Sequence, residues 1–311
     1  MSRELLGVVG RRLANLAVLL LGVTTLLFFL LRVTGDPAAV IAGSDADAAQ
    51  LEAVRAQYGL DRPLAVQFVA YLASVLRLDF GMSLSAGEPA LGLVLERLPA
   101  TLELAGVAML LTLILAVPVG AWMGYAPQAP GRRVAAGIVF VLQGVPGYVV
   151  ALIAIQIVAV EFRLLPSVGY GGPETFILPA VALASFLAPK LVRVIAANVT
   201  EAMAEDYIRT ARSQGADGME LLWRHAVPNA LLGATALVGT MFAALVSGAV
   251  VTEAIFAWPG IGWLLVTSTQ TLDFPVVQAL TFMVAILVFA VNTATDLAFA
   301  LIDPRLRRQR A

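Results

Sequence analysis

Of 311 residues, 60% are apolar and 13% charged, whereas soluble domains carry roughly a quarter charged residues. Several apolar runs exceed the ~20 residues a helix needs to cross a bilayer, which excludes a soluble domain and predicts an all-α polytopic membrane protein, one domain over residues 1–311. The net charge of −1 decides nothing by itself, while the lack of cysteine excludes disulfides, thiol chemistry and cysteine-based metal sites.

Arg3, Arg11 and Arg12 precede an apolar run from Leu13 to Leu31. That run is longer than the roughly 7–15 residues of a signal-peptide core, so residues 1–32 read as an uncleaved first span. The arginines favour a cytosolic N-terminus. Residues 33–98 form a polar extracytoplasmic segment with eight acids and four arginines, long enough to cross regardless of its charge. Within it, Gln50–Tyr58, Pro63–Leu78 and Pro89–Leu98 have helical apolar spacing, separated by Gly59, Gly81 and Gly87.

Residues 99–303 read as a five-span core. The second span covers Thr101–Tyr125, with Glu103 in its first turn, where a carboxylate suits the helix dipole, and Pro118 in its interior. Arg132 and Arg133 mark a cytosolic turn. The third span, Val134–Val160, contains Val145-Pro146-Gly147, which predicts a kink. A glycine-rich outer loop follows over 161–175. The fourth span, Phe176–Ala197, carries Pro179 and Pro189, with Lys190 and Arg193 near its inner end.

Residues 201–229 interrupt the apolar pattern. From Glu201 to Gln214 the charges suit a helix: Glu205 and Asp206 reach Arg209 at helical spacings, with Arg209 and Arg212 in the last turns. Gly215 stands where a helix needs a left-handed stop, and Asp217 with Glu220 is a capping-box-like restart. Met219, Leu222, Trp223 and Ala226 then share one face, and Pro228 ends the run. The pattern predicts a cytosolic helix–glycine–helix elbow offering an apolar stripe.

This elbow resembles the EAA loop of permease subunits of binding-protein-dependent ABC importers. That loop has EAA, three residues, Gly, nine residues, then Ile-x-Leu-Pro. Here Arg209-Thr210-Ala211 stands for EAA, Gly215 is in register, and His225-Ala226-Val227-Pro228 fills the end. The departures, with the text DYIRTAR at 206–212, resemble the dipeptide, oligopeptide and nickel branch. YGLDRP at 58–63, LDFGMSL at 78–84 and ERLPATLELA at 96–105 are similar to the segment after the first span in dipeptide and oligopeptide permeases. The resemblance implies a coupling helix that docks into an ATPase cleft through Tyr207, Arg209, Thr210, Ala211, Gly215, Met219, Leu222, Trp223 and Pro228.

The fifth span, Leu231–Thr252, is studded with Gly233, Gly239, Ser247 and Gly248, which predicts close helix approach at the bundle centre. The stretch Glu253–Gly262 is similar to a family string, [VT]-E-x-[IV]-F-x-[WY]-P-G-[LI]-G. Trp258 and Trp263 suit the interfacial belt. Asp273-Phe274-Pro275 starts a sixth span that reaches Ile302, and residues 304–311 form a cytosolic tail. Six spans place both termini and the elbow in the cytosol, where most Lys and Arg residues also fall.

The only lysine, Lys190, lies outside any P-loop context, so this chain does not hydrolyse ATP by that route. A single histidine, His225, builds no multi-histidine metal site, and no cofactor is expected on the chain. Glu103, Glu253 and Asp273 fall at span ends, where a capping role is the plain reading. Asp296 lies deeper, and with Glu253 it is a candidate gate or interhelical polar residue.

Taken together, the resemblance implies a non-enzymatic permease subunit of an ATP-driven importer in a bacterial or archaeal cytoplasmic membrane, taking up dipeptides or short oligopeptides. Its implied partners are a second homologous permease, two ATPase subunits that hold ATP and Mg, an extracellular binding protein and the lipid bilayer, with no nucleic acid. Nickel complexes or oligosaccharides are alternative cargoes, and a stand-alone secondary carrier or channel is the alternative class. The missing cysteine and the cytosolic place of His225 argue against a route for naked nickel.

Overall fold

The computed structural model describes residues 2–34, 37–43, 46–57 and 59–302, and these are overwhelmingly helical. Among the described residues the only strand-like pairing is a single bridge between Met82 and Pro89. Five helical stretches are long and apolar enough to cross a membrane: Gly10–Leu30, Ala90–Tyr125, Pro173–Ala204, Gly218–Ser247 and Phe274–Ala298. A sixth crossing requires helices α6 (Pro130–Gly144) and α7 (Gly147–Ala154, continued by a π turn to Glu161) to act together, and they meet at 99°. Val145 and Pro146 both take extended ψ values, 122° and 138°. Proline pushes its predecessor out of the helical region, so the kink expected here is a right-angle break.

Chain packing divides the molecule into two compact units, Met1–Pro99 with Trp263–Phe289 and Ala100–Gly262 with Ala290–Ala311. In the first, α1 (Ser2–Thr34) is followed by three short helices: α2 (Pro37–Ala42), α3 (Ala48–Gln57) and α4 (Leu64–Leu76). Aromatic packing joins α4 to α1. Phe28, almost fully buried, contacts Phe68 edge-on at 5.1 Å and stacks on Tyr71 at 5.5 Å. Gln67 Nε2 donates to the carbonyls of Leu60 (3.0 Å) and Arg62 (2.7 Å), fixing the turn that Gly59 opens with φ +65°. The segment 33–98 thus contains the expected helices with one correction. The stretch expected as a separate helix over Pro89–Leu98 is the first part of α5 (Ala90–Tyr125), which runs through Pro99 without stopping.

In the second unit α8 (Pro173–Ala204) is the hub. It packs against α6, α7 and α11 (Val227–Gly248), and about half of its most apolar window is buried. The glycine-studded fifth span was expected to hold the centre, but α8 buries more of itself. Its own small residues Ala180, Ala182, Ala184 and Ala196 let neighbours approach. Gly120 and Gly124 let α5 approach α8 closely. A Cβ at Gly120 would lie 2.9 Å from the Val192 carbonyl, and one at Gly124 would lie 2.8 Å from Val199 Cβ. Thr200 Oγ1 donates to the Gly124 carbonyl at 3.1 Å across the same crossing. The fifth span uses its glycines in the same way, Gly233 against Asn198 and Gly239 against Thr295, and Asn198 Nδ2 donates to the Ala230 carbonyl at 2.9 Å.

Candidate functional site

The elbow departs from its expected outline at both ends. α8 runs on to Ala204, and Glu205 turns extended (ψ 152°) before α9, Asp206–Ser213, begins. Asp206 pairs with Arg209 at 3.1 Å within the new first turn. Thr210 Oγ1 donates back to the Asp206 carbonyl at 3.0 Å. Gly215 has φ +93°, the left-handed stop that its position requires, with open space where a Cβ would be. Asp217 then caps α10 (Gly218–Glu220), accepting from the Glu220 amide at 2.7 Å, and Glu220 pairs with Arg224 at 3.0 Å. A Cβ at Gly218 would collide with the Tyr125 phenol, so the restart is seated on the end of α5.

Pro228 does not end the helix. The chain continues from α10 through a π turn, Leu221–Ala226, into α11, with Pro228 in that helix's first turn. Proline has no N–H to give the carbonyl four residues back and its ring crowds that carbonyl, and the wider π turn before it takes up the misfit.

The expected single apolar stripe is split. Leu222 and Ala226 are buried with Ile208, Ala211 and Leu221, whereas Met219 (59% exposed), Trp223 (44%) and Tyr207 (39%) face outward. The outward set alternates with the paired charges of Asp206, Arg209, Glu220 and Arg224. Partial burial raises the Tyr207 phenol above its ordinary value, with Glu205 adding to the rise and a hydrogen bond to Asn229 opposing it. At neutral pH the outward face therefore presents a neutral phenol, a thioether and an indole.

The two candidate gate residues are not brought together. Asp296 is exposed on α14 (Phe274–Ile302). Glu253, on the short helix α12 (Val250–Ile255), is completely buried. Its Oε1 accepts from Thr101 Oγ1 at 2.7 Å and its Oε2 from the Gly262 amide at 2.7 Å, the latter at the start of α13 (Ile261–Gln270). Thr101 Oγ1 in turn accepts from the Ile261 amide at 2.9 Å. Gly260 and Gly262 are obligatory here. A Cβ on Gly260 would strike the Glu253 carboxyl and the Thr101 hydroxyl, and one on Gly262 would come within 2.6 Å of Val250 Cα.

Trp258 is inside this clamp, not in an interfacial belt. It is fully buried, its indole N–H donates to the Ala100 carbonyl at 2.9 Å, and Phe176 and Tyr170 meet it edge-on at 4.6 and 4.9 Å. Glu103, expected in a first helical turn, lies well inside α5 and accepts from the Tyr170 hydroxyl at 2.8 Å. That bond is the main reason the Tyr170 phenol titrates above its ordinary value.

Asp273 was expected as a plain helix start and is more than that. Completely buried, its Oδ2 accepts from Ser83 Oγ at 2.5 Å, Ser85 Oγ at 2.8 Å and the Ser85 amide at 3.2 Å, which ties the loop before α5 to the turn before α14. Burial pushes its carboxyl up, but the hydrogen bonds outweigh burial and hold it below the usual carboxylate value. The tie is therefore intact at neutral pH and is lost only as pH falls through that lowered value. Nothing in the local sequence pairs residue 83 with residue 273.

Two family models match the chain. One is described as binding-protein-dependent transport system inner membrane component, over residues 116–308, and the other as the N-terminal part of such a membrane component, over 5–105. The chain is 33% identical over 309 residues to the glutathione transport system permease protein GsiC of Escherichia coli K12, covering 97% of this chain and 99% of that one. It is 35% identical over 306 residues to the Probable peptide ABC transporter permease protein y4tP of Sinorhizobium fredii, covering 96% and 98%. In fold it is similar to an inward-facing MetNI methionine ABC transporter structure, with TM-score 0.57 and 20% identity over 68% of this chain and 96% of that chain.

Proposed function

Because the chain belongs to the inner membrane component family of binding-protein-dependent transport systems, and is the multi-pass permease subunit of an ABC importer, we propose that it imports short peptides at the expense of ATP hydrolysed by partner subunits. The observation that carries the cargo is the near full-length relationship to permeases named for glutathione, itself a tripeptide, and for peptides. The absent P-loop supports placing ATP and Mg on two ATPase partners. A second permease, an extracellular binding protein and a cytoplasmic-membrane location complete the reading. The positive-inside bias supports cytosolic termini, a cytosolic elbow, and outer positions for residues 33–98 and 253–273.

The elbow is the coupling surface in this reading. Tyr207, Met219 and Trp223 are the residues that enter the ATPase cleft. Arg209, Thr210, Ala211, Gly215, Leu222 and Pro228 shape the elbow that presents them. Deleting the gene should abolish uptake of a labelled di- or tripeptide and of a toxic peptide mimic, with nickel accumulation unchanged. Intact peptide uptake with lost nickel or oligosaccharide uptake would overturn the cargo and leave the permease role standing.

A further inference from the structure

A cavity of about 230 Å³ lies between the 83–97 stretch and the α13–α14 hairpin. Its polar wall is mostly hydroxyl, from Ser83, Ser85, Thr267, Ser268 and Thr271. Ser83 and Ser85 give their hydroxyl protons to Asp273. Thr267 gives its proton to the carbonyls of Trp263 and Leu264, both at 3.1 Å, and Thr271 to the Thr267 carbonyl at 3.0 Å. A hydroxyl that has spent its proton still carries lone pairs. Ser83 Oγ already accepts from the Ala86 amide at 2.9 Å, so Ser85, Thr267 and Thr271 serve as the open acceptors. The opposite character comes from Arg97, the one cation lining the cavity, whose guanidinium has no ion pair or hydrogen bond among the described residues. Leu93 and Val276 supply apolar wall between them.

We propose that this cavity is a subsite for the carboxyl-terminal residue of a short peptide, with the carboxylate on Arg97 and the amide N–H groups on the hydroxyl oxygens. Acceptors beside one half-buried guanidinium match a group that carries N–H donors next to a carboxylate. A metal cation is repelled by Arg97, and a neutral sugar leaves the guanidinium unmatched. Asp273 does not line the cavity, and its charge is held behind Ser83 and Ser85 by three donors. The volume is below the ~300 Å³ at which pockets for drug-sized ligands begin, so it takes a terminal residue and leaves the rest of the peptide outside. Peptides of varied sequence share that terminus, which is what a permease serving a family of peptides can recognise.

The inference rests on the peptide reading, and its test separates the two. The assembled transporter, reconstituted with its ATPases and binding protein, is irradiated with alanyl-photoleucine, a dipeptide bearing a diazirine in its C-terminal side chain. Labelled sites are mapped by mass spectrometry, and uptake of the same dipeptide is measured in parallel. Labelling is expected within 83–97 and 263–276, competed by alanyl-leucine and not by its C-terminal amide. Arg97→Gln should lower this labelling about ten-fold, and Arg97→Lys should restore part of it. Thr267→Leu, which fills the cavity, should abolish it. ATP hydrolysis stimulated by the binding protein reports assembly of every variant. Uptake with no labelling there, or labelling that the amide competes equally, overturns the subsite and leaves the peptide reading intact. Neither uptake nor labelling by a complex that imports another cargo overturns both.

Discussion

The elbow around Gly215 and the clamp around Glu253 carry similar polar inventories and use them in opposite ways. In the clamp the side-chain bonds close on one another: Glu253 serves Thr101 and Gly262, Thr101 serves Ile261, and Trp258 serves Ala100. Its aromatic residue is fully buried. In the elbow the charges pair along the surface, Asp206 with Arg209 and Glu220 with Arg224, while an indole, a thioether and a phenol stand exposed. A buried network in a medium of low polarity fixes one geometry and is costly to break. A surface that leaves large apolar groups uncovered has contacts still to make. The clamp is thus built to hold shape, whereas the elbow keeps three large apolar side chains exposed.

That contrast predicts unequal responses to substitution. Glu253→Ala leaves the buried Gly262 amide and the Thr101 hydroxyl without their acceptor, and should cost about 3 kcal/mol. The purified complex should lose monodispersity at clearly lower temperature in detergent, whereas Glu253→Gln, which keeps a carbonyl acceptor, should lose less. Gly215→Val comes next. A β-branched residue held at φ +93° is strained by about 1–3 kcal/mol, and this strain falls on the elbow alone. The expected outcome is a normally inserted protein with lost peptide uptake, read by membrane fractionation and uptake together. Arg209→Ala is the smallest. It removes an exposed pair with Asp206 that contributes little, so the melting temperature should not shift measurably.

The elbow was legible in the sequence because its signals are local. A left-handed stop, a capping aspartate and charges at helical spacing each act within four residues, and the structure has Gly215 and Asp217 in those roles. Its face is split because Leu222 and Ala226, four residues apart, pack inward with Leu221, while Met219 and Trp223, also four apart, stay exposed. The clamp was legible only as a family string. The bonds that explain the string join residues 152 to 160 apart in sequence, and no periodicity carries such pairings. Trp258 shows the cost of reasoning from residue type: tryptophan favours membrane interfaces, yet here the same indole fills a core and finds a carbonyl partner. The tie between Asp273 and Ser83 was hidden for the same reason, at 190 residues of separation.

The central claim is that the elbow docks an ATPase subunit through Tyr207, Met219 and Trp223. Affinity between the purified permease pair and its ATPase, measured for the natural chain and for Trp223→Ala combined with Met219→Ala, tests it most directly. Truncating exposed anchors of this kind should cost about 2 kcal/mol or more, a roughly thirty-fold loss of affinity, with the melting temperature of the permease unchanged. Unchanged affinity in a folded double variant would contradict the claim.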